Sequence, residues 1–308
     1  MAKNRFVVLA VLLLFFFSLF LGMDRFMYRK SLHFSFSRIA LFREKPEWNF
    51  FMLNVEEQKE IDQIFNQNFT FFEKGSHAYL FLSEDNKYML KLLKQNMLCP
   101  KNWLAYIPVS FNPYYQEYCQ KQKKIHKMLT AFKIASTELK EETGLVYIHL
   151  NPTQTLNKKL ILVDKHGKKH TIDPNNMSFY LQKRAQLIYV RISELMRTGN
   201  LERAKNIISS VFALIAQLEN KGIHSGKMAM YKNFGIIDDK AVQIDIGVLR
   251  KQTGCTKQPI STLTHNFRDW IEKNYPALLP HFDAELEHIN PTCPLSCPRA
   301  ERNTRDAR

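Results

Sequence analysis

Lys91 lies inside the run Tyr88-Met89-Leu90-Lys91-Leu92-Leu93, an ammonium embedded in a segment that is apolar on both sides. Burying an unpaired ammonium costs several kcal/mol, so such a lysine either snorkels to water along its stem or meets an anion. About a dozen residues earlier comes the turn Lys74-Gly75-Ser76-His77-Ala78-Tyr79, a short loop with one glycine. Far along the chain, Asn233 and Asp245 flank a short predicted hairpin. An amide oxygen and a carboxylate so placed can hold a hard divalent cation bridged to phosphate oxygens. Ahead of Asn233, His224 is the candidate proton acceptor, because no Asp or Glu occurs between Gly222 and Asn233. A cation, a turn and two oxygen donors suit a phosphate compound held through a metal.

The elements that must position these groups can be read from periodicity and punctuation. Tyr79 to Leu82 and Tyr88 to Leu93 are apolar runs separated by Ser83-Glu84-Asp85-Asn86, which predicts a β-hairpin. A long helix is expected from about Tyr115 to Glu142, its exposed face carrying Lys121, Lys123, Lys124, Lys127, Lys133 and Lys140. Leu145 to Leu150, Leu160 to Val163 and His170 to Ile172 look like strands. Helices are expected over Phe179 to Met196 and Leu201 to Asn220. In the second, Ala204, Ile207, Ile208, Val211, Phe212, Ile215 and Leu218 recur every three to four residues, and Lys221-Gly222 closes it. Two short strands, Gly235 to Ile237 and Ala241 to Ile244, precede Asp245-Ile246-Gly247. Helices near Leu263 to Asn274 and Pro276 to His288 complete an α+β layout.

Taken together, the chemistry-bearing residues resemble the protein-kinase-like fold, in which a glycine-rich loop, a strand lysine, a catalytic loop and an Asp-Phe-Gly turn follow in that order. Gly75 to Ala78 resembles the loop, Met89-Leu90-Lys91 the strand lysine, Ile223-His224 with Asn233 the catalytic loop, and Ile244-Asp245-Ile246-Gly247 the metal-binding turn. Phe179-Tyr180-Leu181-Gln182 looks like the hinge between lobes, and Leu201 to Asn220 like the long helix before the catalytic loop. The resemblance covers about Phe71 to Arg250 and extends to an uncharacterised family of bacterial kinase-like proteins with one N-terminal membrane segment. It implies ATP and Mg²⁺ as cofactors, with Gly75, Ser76, Lys91 and Gln182 on the nucleotide and Asn233 and Asp245 on the metal. Glu117, Glu138, Glu141 and Glu142 are candidates for the carboxylate that pairs with Lys91, and Glu138 is the choice. The chain departs from the pattern at the base, where Gly226 and Met228 occupy the positions at which an Asp would stand. No Ala-Pro-Glu anchor follows Gly247, which implies a reduced C-terminal lobe. The expectation is therefore a degenerate kinase that binds nucleotide and Mg²⁺ with weak or no phosphoryl transfer. The alternative keeps only the fold, as a membrane or envelope interaction protein without nucleotide.

Composition sets the frame. The chain has 308 residues, 45% hydrophobic and 24% charged, with 10 Gly and 12 Pro, which excludes wholesale disorder and collagen-like repeats. A net charge of +15 suits an anionic partner. From Phe6 to Gly22 there is no charge over 17 residues, the lower limit for a membrane-spanning helix. Residues 1–22 are thus expected to be a retained signal anchor and 23–50 a basic, aromatic juxtamembrane segment against anionic headgroups. Residues 51–178 would form the N-lobe, 179–290 the reduced C-lobe and 291–308 a charged tail. Flanking charges lean towards a cytoplasmic domain. Membrane lipid is the expected partner and the scaffold form implies a protein partner; nucleic acid is not expected. Five cysteines exclude a disulfide framework, and Cys293 and Cys297 lack two further zinc ligands, which leaves a tail bridge or two free thiols.

Overall fold

The computed structural model describes residues 11–19, 22–23, 39, 48–49, 53–94, 115–225, 229–252 and 260–289. Helix α1 (Val55–Ile64) starts at a reciprocal cap in which Asn54 and Glu57 bond each other's backbone amides. It leads into a meander of β1 (Asn68–Lys74), β2 (Ala78–Ser83) and β3 (Tyr88–Leu93). The expected hairpin is present. Asn86 adopts φ 60° at its tip, and the Ser83 hydroxyl accepts from the Tyr88 amide at 2.9 Å.

Helix α2 (Tyr115–Glu138) is followed by β4 (Leu145–His149), β5 (Leu160–Val163), β6 (Lys169–Ile172) and β7 (Phe179–Lys183). Seven strands form one sheet in the order β4-β7-β3-β2-β1-β5-β6. Two expectations are corrected here. The long helix stops at Glu138 rather than Glu142, giving way to a turn that ends at Gly144, whose φ of +60° an L side chain resists. Phe179 to Lys183 is a strand, not the start of a helix, because β7 lies between β3 and β4 with both faces covered. A strand buried on both faces reads as a continuous apolar run and shows no alternation.

One face of the sheet packs Phe69, Phe81, Leu90, Leu92, Phe179 and Leu181 against Ile61, Ile64 and Phe65 at α1. The other packs Leu93, Leu145, Ile148 and Tyr180 against Ile125, Met128, Phe132 and Ala135 of α2, and this core continues into the helical half. That half begins with β8 (Gln186–Leu187), α3 (Ile188–Arg197) and α4 (Leu201–Asn220). The predicted stripe of α4 is wholly buried, and Gly222 at φ +62° follows its end. Next come β9 (Ile223–Ser225), the single helical turn α5 (Met230–Asn233), the hairpin β10 (Phe234–Ile237) and β11 (Lys240–Gln243), and β12 (Leu249–Lys251), which pairs antiparallel with β9. Asp238 and Asp239 take φ 48° and 59° at the hairpin tip, the left-handed pair that a tight two-residue turn demands. Helices α6 (Ile260–Asn274) and α7 (Leu279–Ile289) close the fold.

This mixed α+β architecture is compatible with a kinase-like fold. Residues 11–19 are helical, and no described helix is long and apolar enough to cross a membrane. The remainder of the expected anchor, most of the juxtamembrane segment, and Cys293 and Cys297 lie outside the described residues.

Candidate functional site

Lys91 stands opposite Tyr180 in the β3–β7 register, and its amine lies 5.2 Å from the centre of that ring. The amine donates to the Ile244 carbonyl at 3.0 Å, a bond that spans 153 residues of sequence. Ile244 in turn donates its own amide to the Asn233 carbonyl at 2.8 Å. One peptide, Ile244, is thus held by Asn233 on one side and by Lys91 on the other, and Asp245 follows it directly. Asn233 is buried in α5, and Phe234 pairs with Gln243 at the start of the hairpin, so the strand register places Asn233 beside Ile244. The structure therefore brings Lys91, Asn233 and Asp245 together.

Burial pulls the Lys91 ammonium down to about 8, opposed by the negative charge of Asp245. Tyr180 is pushed well above the usual phenol range, first by burial and then by the same carboxylate. Arg250 is lowered by burial, again with Asp245 acting in the opposite sense. Its guanidinium is committed to the carbonyls of Lys127 at 3.2 Å and Gly247 at 3.1 Å. Asp245 Oδ1 caps the turn Ile246–Val248 by accepting from the Gly247 amide at 3.2 Å, while Oδ2 has no hydrogen-bond partner among the described residues. One carboxylate oxygen is thus left for a hard divalent ion, and among the described residues no group of three or more His, Cys, Asp or Glu could hold a metal ion.

The remaining predicted residues are placed as follows. Gln182, 2% exposed, donates Nε2 to the Thr143 carbonyl at 2.8 Å. The carbonyls of Gly75 and Ser76 both accept from Lys94, whose amine lies 4.9 Å from the centre of the Tyr79 ring. The glycine turn is therefore pinned from the face of the sheet opposite to Lys91. Glu138 does not meet Lys91; it sits at the end of α2 and pairs with Lys251 at 2.5 Å. Glu117 and Glu138 are the acids of α2, and the buried face of that helix presents Met128, Ala131, Phe132 and Ala135 instead, with Phe132 against Tyr180. His224 is exposed on β9, opposite Arg250, while its neighbours Ile223 and Ser225 are buried. Gly226 and Met228 lie outside the described residues.

Four residues of this neighbourhood escaped the sequence reading of the site: Lys94, Tyr180 as a ring under the amine, Arg250, and Gln243 as a brace. Gln243 Nε2 donates to Ser225 Oγ at 3.2 Å and to the Asp245 carbonyl at 3.3 Å, joining β9 to the metal-binding turn. The β3–β7 pairing carries the signal for Tyr180, but pairing is visible only once β7 is known to be a strand. Two adjoining cavities of about 730 and 720 Å³ lie elsewhere, around Tyr189, Val190 and Trp270, and include neither Lys91 nor Asp245.

No protein-family model matches the chain, and no curated protein matches it. Among solved structures the chain is similar to a crystal structure of WbdD, with a TM-score of 0.32 and 13% identity over 70% of this chain and 46% of that one. A structure described as the bifunctional kinase-methyltransferase WbdD gives a TM-score of 0.30 and 13% identity, over 68% and 43% respectively. WbdD crystallised with the kinase inhibitor LY294002 gives 0.30 and 14%, over 70% and 45%. The overlap is partial. The chain spans less than half the length of these neighbours, and a likeness of this size assigns no site or activity.

Proposed function

We propose that the protein is a kinase-like binder of Mg²⁺-nucleotide in which phosphoryl transfer is weak or absent, tethered to a membrane through residues 6–22. What supports it is the meeting of Lys91 with the hairpin that carries Asn233 and Asp245, at the Ile244 peptide, a contact across 153 residues of sequence. Lys91 would exchange the Ile244 carbonyl for phosphate oxygens, and an anion beside it would lift its pKa from about 8 and keep it charged. The free Oδ2 of Asp245, with Asn233, would hold the metal. Mg²⁺, when bound, supplies neutralisation of the phosphate charge. The missing carboxylate ahead of Asn233 and the exposed position of His224 leave the attacking hydroxyl without an evident acceptor, hence the weak transfer.

The test uses the full-length protein in detergent, melted with and without MgATP. A rise in melting temperature is expected, abolished by EDTA and lost in both Lys91→Ala and Asp245→Asn. No rise, or an equal rise in both variants, returns the protein to the alternative of an interaction module that keeps only the fold. Nucleotide binding also requires the domain to face the cytoplasm, and a reporter fused to the C-terminus reads that side directly.

A further inference from the structure

Five lysines crowd into one short stretch, Lys158, Lys159, Lys165, Lys168 and Lys169. They flank β5 and the tip of the β5–β6 hairpin, at the outer edge of the seven-stranded sheet. All but the half-buried Lys165 are exposed, and none of the five has an ion-pair partner among the described residues. Elsewhere Lys140, Lys205, Lys221 and Lys251 each pair with a glutamate. The carboxylate inside the hairpin is committed to its turn. Asp164 accepts from the amides of His166 and Lys168 at 2.9 and 3.0 Å and meets His170 at 2.9 Å. Edge strands often carry lysine as a guard against pairing with another sheet. Lys169 alone sits on β6, so that duty leaves the other four unexplained.

The surface between these charges is partly apolar. Register and alternation put Ile161, Val163, Lys169 and Thr171 on one face of the hairpin, with Leu160, Leu162 and Ile172 buried on the other. Ile161 and Val163 are half-exposed there. Strand β1 runs parallel to β5 with Thr70 beside Val163, so Phe72 lies about 7 Å further on, at the tip end of the hairpin. A bulge between Phe71 and Glu73 sets Phe72 off the ladder, and it is 52% exposed. Every other phenylalanine described beyond residue 48 is buried or half-buried. Against these lysines stands Glu73, the one acid of β1. Glu84 lies at the opposite end of that strand, accepting from Asn68 at 3.0 Å.

Residues 68–74 and 157–172 contain no arginine for bidentate contacts with nucleic acid, and a single exposed ring is not a stacking platform. Lysine point charges around half-exposed aliphatic side chains and one aromatic ring match the boundary between headgroups and acyl chains. We propose that the β5–β6 hairpin, with Phe72 beside it, docks on an anionic phospholipid bilayer, its lysines among the headgroups and Phe72 at the acyl boundary. This contact is separate from the apolar segment 6–22 and holds whether or not the protein binds nucleotide.

Full-length protein is freed of detergent with phosphatidylcholine vesicles, without or with about 30% phosphatidylserine, and its lysines are labelled with an amine-reactive ester and read by mass spectrometry. Labelling at Lys159, Lys165 and Lys169 is expected to fall at least about threefold in the anionic vesicles and to recover in about 0.5 M salt. Lys59, exposed on α1 across the sheet, should not change. Brominated phosphatidylcholine should quench Phe72→Trp, beyond the natural protein, more strongly when phosphatidylserine is present. Replacing the five lysines by glutamine should remove that difference. Equal labelling in both vesicles, equal protection of Lys59, or protection by duplex RNA and not by vesicles overturns the proposal. Attachment to neutral vesicles reports on segment 6–22 instead, so the two contacts fail separately. Labelling of the natural protein decides the matter even where the glutamine variant fails to fold.

Discussion

Lys91 holds a charge where the fold would be more stable without one. Its amine has a carbonyl and an aromatic ring for company, and the nearest opposite charge is Asp245. Burial lowers its pKa from 10.5 in the unfolded chain to about 8 in the folded one. The unfolded state therefore binds more protons between these values, and stability rises as pH climbs from 8 towards 10.5. Below pH 8 the penalty is fully present, and at about 1.36 kcal/mol per unit it amounts to roughly 3 kcal/mol. Lys91→Met is thus expected to be more stable than the natural protein at pH 7 by about 1–3 kcal/mol without ligand, and the gap should close as pH rises through 8 to 10.5. Urea titrations at several pH values check this. An unchanged gap would mean that the ammonium reaches water. The embedded lysine was legible in the sequence, because an ammonium among apolar neighbours is anomalous at a glance. Its surroundings were not: periodicity along α2 cannot tell which of its faces meets the sheet, so Glu138 looked eligible although it lies at the helix end with Lys251. Lys94 was missed because a lysine at the end of a strand is usually solvated, and only the fold shows it turned onto the Gly75 and Ser76 carbonyls.

Among the elements, the β10–β11 hairpin sets the distance between Asn233 and Asp245, and Gly235 is its tightest point. A Cβ there would stand 2.6 Å from Ala185 Cβ, 3.1 Å from the Gln186 carbonyl and 3.3 Å from Ile244 Cγ2. Gly235→Ala should force β10 from β8 and displace the Ile244 peptide, costing about 1–3 kcal/mol by overpacking. Its MgATP-induced shift should also fall by more than the lost stability explains, as parallel denaturant and ligand titrations would show. Most elements could be read in advance because α4, the β2–β3 hairpin and β10–β11 each follow one clean period. Helix and strand were confused at Phe179 to Lys183, where burial on both faces erases the period, and β9 was read as a loop because three residues are too few to show one. Lys94→Leu should release the Gly75–Ser76 turn, visible as faster amide exchange over residues 74–77 while β2 and β3 stay protected.

At the scale of the molecule, the core beneath the sheet does not stop at the site but runs from α2 into α4, α6 and α7. The turn after α2 reinforces it. Gln243 donates its amide to the Glu142 carbonyl at 2.8 Å and Lys183 donates to Gly144 at 2.8 Å, while a side chain on Gly144 would strike Ile237 Cδ1 at 2.8 Å. One core and these hydrogen bonds therefore join the two halves, and hydrogen exchange with and without MgATP should show β3 and the Ile244–Gly247 turn gaining protection together rather than one after the other. Protection confined to one half would argue against a ligand bridging the two. The bond from Lys91 to Ile244 then acquires a further meaning. In this structure the amine that would greet an incoming anion is already engaged by the Ile244 carbonyl, so arrival would require departure. Such a latch would lower the apparent affinity for an incoming anion by the fraction of time the amine is engaged.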